Sequence, residues 1–241
     1  VASDGRKLHL HKAMGLVGDA FTQDVLERLD GRSAIGHVRY STTGSSTLSN
    51  AQPYLVDYSR GSVAIAHNGN LTNAQFLRSE LEAYGSIFGS TSDSEIFVHL
   101  MAKPTYKNTQ ESVLGAISKV QGAYSMTLLT ERELIGVRDP HGFRPLCLGR
   151  LGSAYVLASE TCAFDLIEAE FIREVDPGEI VIVSEKGIKS FYPFRGKTFP
   201  LAHCMFEHVY FARPDSIIFG ENVALVRERL GHILAQEHPV A

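Results

Sequence analysis

Three short segments between Gly36 and Glu95 each end an apolar run on a polar functional group. Gly36-His37-Val38-Arg39-Tyr40-Ser41-Thr42-Thr43-Gly44 offers a guanidinium. Ala66-His67-Asn68-Gly69-Asn70-Leu71 offers an amide beside a glycine N–H, and Thr91-Ser92-Asp93-Ser94-Glu95 offers a carboxylate. The set suits a small zwitterion that carries a carbonyl to be attacked, glutamine being the example. Arg39 can pair a carboxylate through a bidentate fork whose geometry lysine cannot match. Asp93 can accept from an ammonium. The Asn68 side-chain N–H and the Gly69 backbone N–H can donate to the oxyanion that forms when an amide carbonyl is attacked. Loss of one such donor costs about 10²–10³ in rate. A glycine beside the amide also lets backbone approach substrate with no Cβ in the way. The loop from Ser41 to Ser49, small and polar, could close over the substrate and exclude water.

Taken singly, each of these residues has a plainer use. An arginine at a strand end is more often a surface ion-pair partner than a substrate ligand. Asn-Gly is the type I′ hairpin dipeptide. Asp93 before a helix reads as an N-cap, and His37 and His67 on apolar strands read as satisfied core or loop histidines rather than ligands. Only the combination points to a site.

The elements that must hold these groups follow from periodicity. Ala20 to Leu29 reads as a helix, with Val25 and Leu29 at i,i+4. Lys7 to His11 alternates like a strand, with nothing before it to supply a partner. Ala34 to Val38 and Ser62 to Ala66 read as buried strands, the second closed by Asn68-Gly69 as a turn. Helices are expected at Asn73 to Tyr84, Ser94 to Met101 and Glu111 to Val120. The first carries the stripe Phe76, Leu77, Leu81 and Tyr84. Strands then dominate: Tyr124 to Leu129, Leu134 to Arg138, Leu146 to Leu148, Ala154 to Ala158, Ile180 to Val183 and Ile188 to Tyr192. A short helix, Cys162 to Ala169, interrupts them. Helices set between two groups of strands, with hairpin-length connections late in the chain, favour a mainly antiparallel α+β fold over an alternating parallel one. Phosphate loops of GxGxxG or Walker type are absent. Phe206 to Ala212 is apolar and aromatic, Arg213-Pro214-Asp215-Ser216 is a turn or helix-start signal, and Ala224 to Gln236 reads as a helix.

Composition narrows the classes. The chain has 241 residues, a net charge of −4, 44% hydrophobic and 21% charged residues, which is ordinary for a soluble globular protein. That charge gives no reason to expect nucleic acid or an anionic membrane surface. No apolar run approaches the roughly twenty residues of a membrane span, and Val1 to Gly5 does not resemble a signal peptide. Cys147, Cys162 and Cys204 are odd in number and widely spaced, without CxxC, so neither a zinc ribbon nor a disulfide framework is indicated. Buried thiols in a reducing, cytoplasmic setting are expected.

The three segments together resemble the glutaminase domain of class II glutamine amidotransferases, in the N-terminal-nucleophile hydrolase superfamily. Val137-Arg138-Asp139-Pro140-His141-Gly142-Phe143-Arg144-Pro145-Leu146 and Ala158-Ser159-Glu160-Thr161-Cys162-Ala163-Phe164 are similar to stretches of the amidophosphoribosyltransferase family and, more loosely, of asparagine synthetases. Cys204-Met205-Phe206-Glu207-His208-Val209-Tyr210-Phe211-Ala212-Arg213-Pro214-Asp215-Ser216 resembles a signature of the amidophosphoribosyltransferase family, and the resemblance runs through nearly the whole chain. It implies a four-layer α-β-β-α sandwich of antiparallel sheets, incomplete at its N-terminus. It implies a glutaminase domain over 1–200 and, over 201–241, a connecting segment that opens a phosphoribosyltransferase domain. Arg39 and Asp93 would bind the glutamine carboxylate and amine, Asn68 and Gly69 would form the oxyanion hole, and Thr42 and Thr43 would lie in the loop that covers glutamine. The ammonia released would serve phosphoribosylamine synthesis from phosphoribosylpyrophosphate, the first step of de novo purine synthesis. Magnesium would belong to the transferase domain. One branch of the family carries a 4Fe–4S cluster, and Cys204 falls where one ligand would be, the others coming from downstream; members without a cluster also have this cysteine, so both states stay open. A cytoplasmic homo-oligomer with no nucleic-acid or membrane partner is expected.

The sequence also departs from that family. The family nucleophile is a cysteine at the mature N-terminus, whose own α-amine acts as base. Here residue 1 is Val, and none of the three cysteines aligns with that nucleophile. The phosphoribosylpyrophosphate loop is also missing. The expectation is a fragment cut at both ends and inactive alone, since an oxyanion hole without a nucleophile leaves only residual catalysis. Two other readings compete. One is the glutaminase domain of another class II amidotransferase, such as a glucosamine-6-phosphate or asparagine synthetase, against which the segment Cys204 to Ser216 argues. The other is a non-catalytic relic that binds glutamine or stabilises an oligomer.

Overall fold

The structure, a computed structural model, describes residues 1–39 and 47–239. In chain order, β1 (Ala2–Ser3) pairs antiparallel with β2 (Leu8–His9) and β3 (Ser33–Ala34), with α1 (Val17–Ala20) and α2 (Gln23–Arg28) between the last two. β4 (Tyr54–Tyr58) and β5 (Gly61–Leu71) form a hairpin, followed by α3 (Ala74–Ala83), α4 (Ser94–Met101) and α5 (Thr109–Ile117). Then come β6 (Gly122–Leu129), β7 (Leu134–Arg138), β8 (Cys147–Leu151), β9 (Ala154–Ala158), α6 (Cys162–Leu166), β10 (Glu170–Glu174), β11 (Ile180–Ser184) and β12 (Gly187–Phe191). A π-helical turn, Glu207–Phe211, leads to the small hairpin β13 (Ile217–Ile218) and β14 (Glu221–Asn222) and to α7 (Val223–Glu237).

The frame is a six-stranded antiparallel sheet in the order β12-β11-β7-β6-β5-β4. Within it, β5 runs Val63-Ala64-Ile65-Ala66 with all four residues buried. Alternate side chains of a strand point to opposite faces, and here both faces are covered. Val63 and Ile65, with Met126 and Leu128 of β6, pack against Phe97 and Met101 of α4 in the helix layer α3–α5. Ala64 and Ala66 face the other way, toward Val1 and Ile35 beside the β1–β3 sheet. Val181 of β11 meets Leu146, Leu148 and Val175 beneath the β10-β8-β9 sheet. Two three-stranded sheets therefore form the third layer side by side. On the outer face of one of them lies α6, close enough that a Cβ on Gly149 of β8 would come within 2.8 Å of the Phe164 ring. This is the antiparallel α-β-β-α layering expected.

Several elements differ from the periodicity reading, each for a local reason. Lys7 to His11 does have a partner, because Ala2 and Ser3 pair with His9 and Leu8. The strand expected over Ala34 to Val38 stops at Ala34; Ile35 N still donates to Val1 O, but Val38 is 77% exposed. The α3 stripe is half right: Leu77 and Leu81 are buried, while Phe76 and Tyr84 are 71% and 85% exposed. α5 begins at Thr109, two residues early, because the Asn108 side chain accepts from Glu111 N at 2.9 Å as its N-cap. β4 and β10 are strands that periodicity does not mark. In α7, Leu225, Leu230, Ile233 and Leu234 stand exposed rather than packed.

Candidate active site

Asn68 and Gly69 are not a turn. They lie inside β5, opposite Ser125 and Tyr124 of β6, and the ladder continues to Leu71↔Gly122. The Asn-Gly turn reading is therefore corrected: the dipeptide is the polar end of an otherwise apolar strand. Gly69 has φ of +151°, and a Cβ there would lie 2.1 Å from Ala123 O and 2.7 Å from His67 Nε2. Only glycine fits between these strands without displacing backbone.

Asp93 precedes α4 but its side chain does not cap that helix. Its Oδ2 instead accepts from Leu71 N at 2.8 Å, which ties the carboxylate to the end of β5. A carboxylate has about four acceptor positions, so one backbone contact leaves capacity for an ammonium. His67, next to Asn68, is fully used by the fold. Its backbone N donates to Gln52 Oε1 at 2.7 Å, and Nε2 is 3.3 Å from Ala123 O. A carbonyl only accepts, so Nε2 carries the proton and Nδ1 accepts from Ser94 Oγ at 3.0 Å. Burial lowers its pKa against the nearby Asp93 charge, and the ring is neutral. Burial, together with repulsion from His67 and Arg39, takes His37 down to about 4. His67 is thus a fold residue, as its place on an apolar strand suggests, whereas His37 is half-buried and lines the cleft.

A cleft of about 1110 Å³ gathers Arg39, Asn68, Gly69 and Asp93, together with Arg144 and Glu207. The cation and the anion thus face one space. Thr42 and Thr43 lie outside the described residues. A second cleft, about 900 Å³, runs between β3 and β9 and meets the first at Gly36, His37, Asn68 and Ser159.

Two cleft residues have no role in the sequence reading. Arg144 Nε donates to Asn68 Oδ1 at 3.1 Å, and Arg144 Nη1 lies 2.8 Å from Glu207 Oε1. Glu207 is 3% exposed. Burial pushes its carboxyl upward, and the Arg144 guanidinium opposes that in part. Each lies in a stretch that carries the family resemblance, but nothing local in either stretch marks their contact, which comes from long-range packing. Cys204 Sγ is 3.7 Å from Arg144 Nη1. It offers one sulfur, and among the described residues there is no group of three or more metal-ligating side chains. A cluster site therefore does not fit the described residues by themselves, and no chemical step is derived through one. Burial raises the Cys147 thiol to about 12. None of the three cysteines lines the cleft that holds Arg39 and Asp93.

The fold agrees with the comparisons to known proteins. Residues 37–165 match the glutamine amidotransferase domain family, to which the chain belongs. Along its full length it is similar to amidophosphoribosyltransferases. It is 50% identical to a chloroplastic one from Glycine max, covering 100% of this chain and 42% of that protein. It is 45% identical to the one from Methanocaldococcus jannaschii, covering 99% of this chain and 54% of that protein. Among solved structures, the glutamine phosphoribosylpyrophosphate amidotransferase of B. subtilis, complexed with ADP and GMP, superposes with a TM-score of 0.93 at 43% identity, covering 100% of this chain and 52% of that one. The chain spans about half the length of these relatives. No helix among the described residues is long and apolar enough to cross a membrane.

Proposed function

We propose that the cleft binds glutamine and that this domain frees ammonia from its side-chain amide. The observation that carries the reading is the convergence of Arg39, Asp93, Asn68 and Gly69, from three separate segments, on one cleft. In this reading the Arg39 guanidinium pairs the α-carboxylate and Asp93 accepts from the α-ammonium. Thiolate attack on the amide carbon converts the carbonyl oxygen to an oxyanion. Asn68 Nδ2–H and Gly69 N–H donate to it, preorganised donors being worth most where charge develops. Departure of ammonia leaves a thioester, and water returns glutamate and the thiol. The attacking thiolate would be that of the cysteine nucleophile that the family resemblance calls for, and residues 1–241 would supply the binding and oxyanion groups.

The reading extends to the complete protein: the ammonia would aminate phosphoribosylpyrophosphate, giving phosphoribosylamine and pyrophosphate, the opening step of purine synthesis. The names of the similar proteins support this. Magnesium would serve that second reaction, and a homo-oligomer is the expected assembly. Unpaired thiols at Cys147, Cys162 and Cys204 suit a cytoplasmic setting; the chloroplastic relative makes a plastid the competing compartment.

The test uses the complete protein and compares glutamine-dependent with ammonia-dependent phosphoribosylamine formation. Arg39→Lys should raise the glutamine KM by about tenfold or more and leave ammonia-dependent synthesis intact. Unchanged glutamine use would remove Arg39 from the site. Asn68→Ala should lower glutaminase turnover by about 10²–10³. A loss under about threefold would reduce Asn68 to a structural residue. Saturable glutamine binding with no glutamate formed would favour the non-catalytic reading instead.

A further inference from the structure

An asparagine amide stabilises an oxyanion only when its NH2 faces that oxygen. Rotated by half a turn, it presents Oδ1, which repels the developing charge. Something must therefore hold Oδ1 on the other side. Here that group is Arg144, whose Nε donates to Asn68 Oδ1 at 3.1 Å. A guanidinium has donors and no acceptor, so the reversed amide, with NH2 toward Arg144, would lose this bond and gain nothing. We propose that Arg144 is a positioning residue that fixes the amide orientation of Asn68, and that Glu207 holds Arg144 in place to do so. The inference rests on the proposed oxyanion role of Asn68.

Arg144 is held from two sides. Its backbone carbonyl accepts from Ser125 Oγ and from Arg138 Nε, both at 3.0 Å, and Arg138 is 2% exposed. The turn leading into it is pinned by the Asp139 carboxylate, which accepts from His141 N and Phe143 N. Its side chain is bracketed by Glu207 Oε1 at 2.8 Å and by the Phe211 ring at 4.6 Å. Glu207 and Phe211 both belong to the π-helical turn, and Cys204 N donates to Phe143 O at the start of that segment. Pairing with Glu207 balances the guanidinium charge, so Arg144 acts on Asn68 through geometry rather than as an unshielded cation. The orientation of an oxyanion donor on β5 is thereby tied to the segment 204–211.

A double-mutant cycle in the complete protein tests this. Arg144→Met should lower kcat for glutamine hydrolysis by about 10–100-fold, the usual range for loss of an orienting partner, with the glutamine KM within about threefold and ammonia-dependent synthesis retained. On an Asn68→Ala background the same substitution should cost less than about threefold, because no amide remains to be oriented. Glu207→Gln should lower kcat in the same direction by a smaller factor. If Arg144→Met costs the same factor with and without Asn68, or raises KM while sparing kcat, the positioning role is refuted. If Asn68→Ala alone leaves glutaminase intact, the oxyanion reading fails first, and the two failures are told apart. Should the Met variant not fold, Arg144→Lys carries the same cycle, since an ammonium lacks the rigid fork needed to serve both partners.

Discussion

Gly69→Ala places a methyl group where the structure has backbone. The new Cβ would lie 2.1 Å from Ala123 O and 2.7 Å from the carbon of that carbonyl. Ordinary contact is about 3.5–4.0 Å, so one strand must move by more than about an ångström. Neither strand is loose there: the β5–β6 ladder is continuous from Ala64↔Leu129 to Leu71↔Gly122. Overpacking a filled site costs about 1–3 kcal/mol. A side chain at φ of +151° adds strain, typically about 1–3 kcal/mol. A combined loss of about 2–6 kcal/mol follows. For a domain of this size that is a fall in Tm on the order of 10 °C.

The same displacement acts on the chemistry. Asn68 is the neighbouring residue, and a misplacement of about 1 Å costs on the order of 10² in rate. Thermal unfolding and glutamine hydrolysis should therefore fall together, with ammonia-dependent synthesis showing how much folded enzyme remains. Gly152→Ala separates clash from strain. Gly152 has φ of +58°, and a Cβ added there would meet nothing within 4 Å, so only a left-handed penalty of about 1–2 kcal/mol applies. If Gly69→Ala is no more destabilising than Gly152→Ala and keeps full glutaminase activity, the close strand approach does not constrain the site, and the argument from Gly69 fails.

Two further predictions concern stability. His37 titrates near 4 in the folded protein against about 6.5 when unfolded. Between these values the unfolded state binds more protons, so stability is full above about pH 6.5 and declines by up to about 3 kcal/mol as pH falls toward 4. Urea midpoints for wild type and His37→Gln should lie close together at pH 7 and diverge as pH falls, wild type losing stability that the variant keeps, and parallel pH profiles would contradict this. Glu179 is fully buried and receives Arg173 Nη1 and Nη2 at 2.7 and 2.6 Å. Arg173→Ala should cost about 3–5 kcal/mol in guanidinium unfolding, since it leaves a buried carboxylate without its cation; a cost below about 1 kcal/mol would place that pair among weak surface bridges.

Legibility in the sequence follows how local the signal is. Ser94 to Met101, Leu134 to Arg138 and Ala154 to Ala158 coincide with α4, β7 and β9, because burial sets a period within each segment. The apolar run that marks β5 ends at Ala66, while the strand continues to Leu71. Asn68-Gly69 has turn chemistry, and only pairing with β6 keeps the chain extended through it. β10, Glu-Phe-Ile-Arg-Glu, has charged ends and exposed faces, so neither alternation nor an apolar run marks it. Phe76 and Tyr84 fit the helical period of α3 but lie on its solvent side. The candidate residues Arg39, Asn68, Gly69 and Asp93 can be picked out in the sequence because each lies within a short polar motif, and the structure lines one cleft with them. The contact of Arg144 with Glu207 cannot, because it exists only across the fold.

The polar groups around the cleft divide into two kinds, and the division sets what each substitution should do. Asp93 accepts from Leu71 N, Gln52 brackets His67 at both N–H and carbonyl, and Asp139 accepts from Tyr124 N. Each bond satisfies a backbone group where the β5–β6 ladder nears its end or flanks the site, and a buried group left unpaired there costs about 1–3 kcal/mol. Loss of such a bracket should therefore lower stability and activity together. Arg39 lies on a segment without a strand ladder and lines the cleft, so in the proposed reading substitution there should change glutamine use directly. Asp93 belongs to both kinds, so Asp93→Asn, which can still accept from Leu71 N but carries no charge for an ammonium, is the variant that separates bracket from ligand.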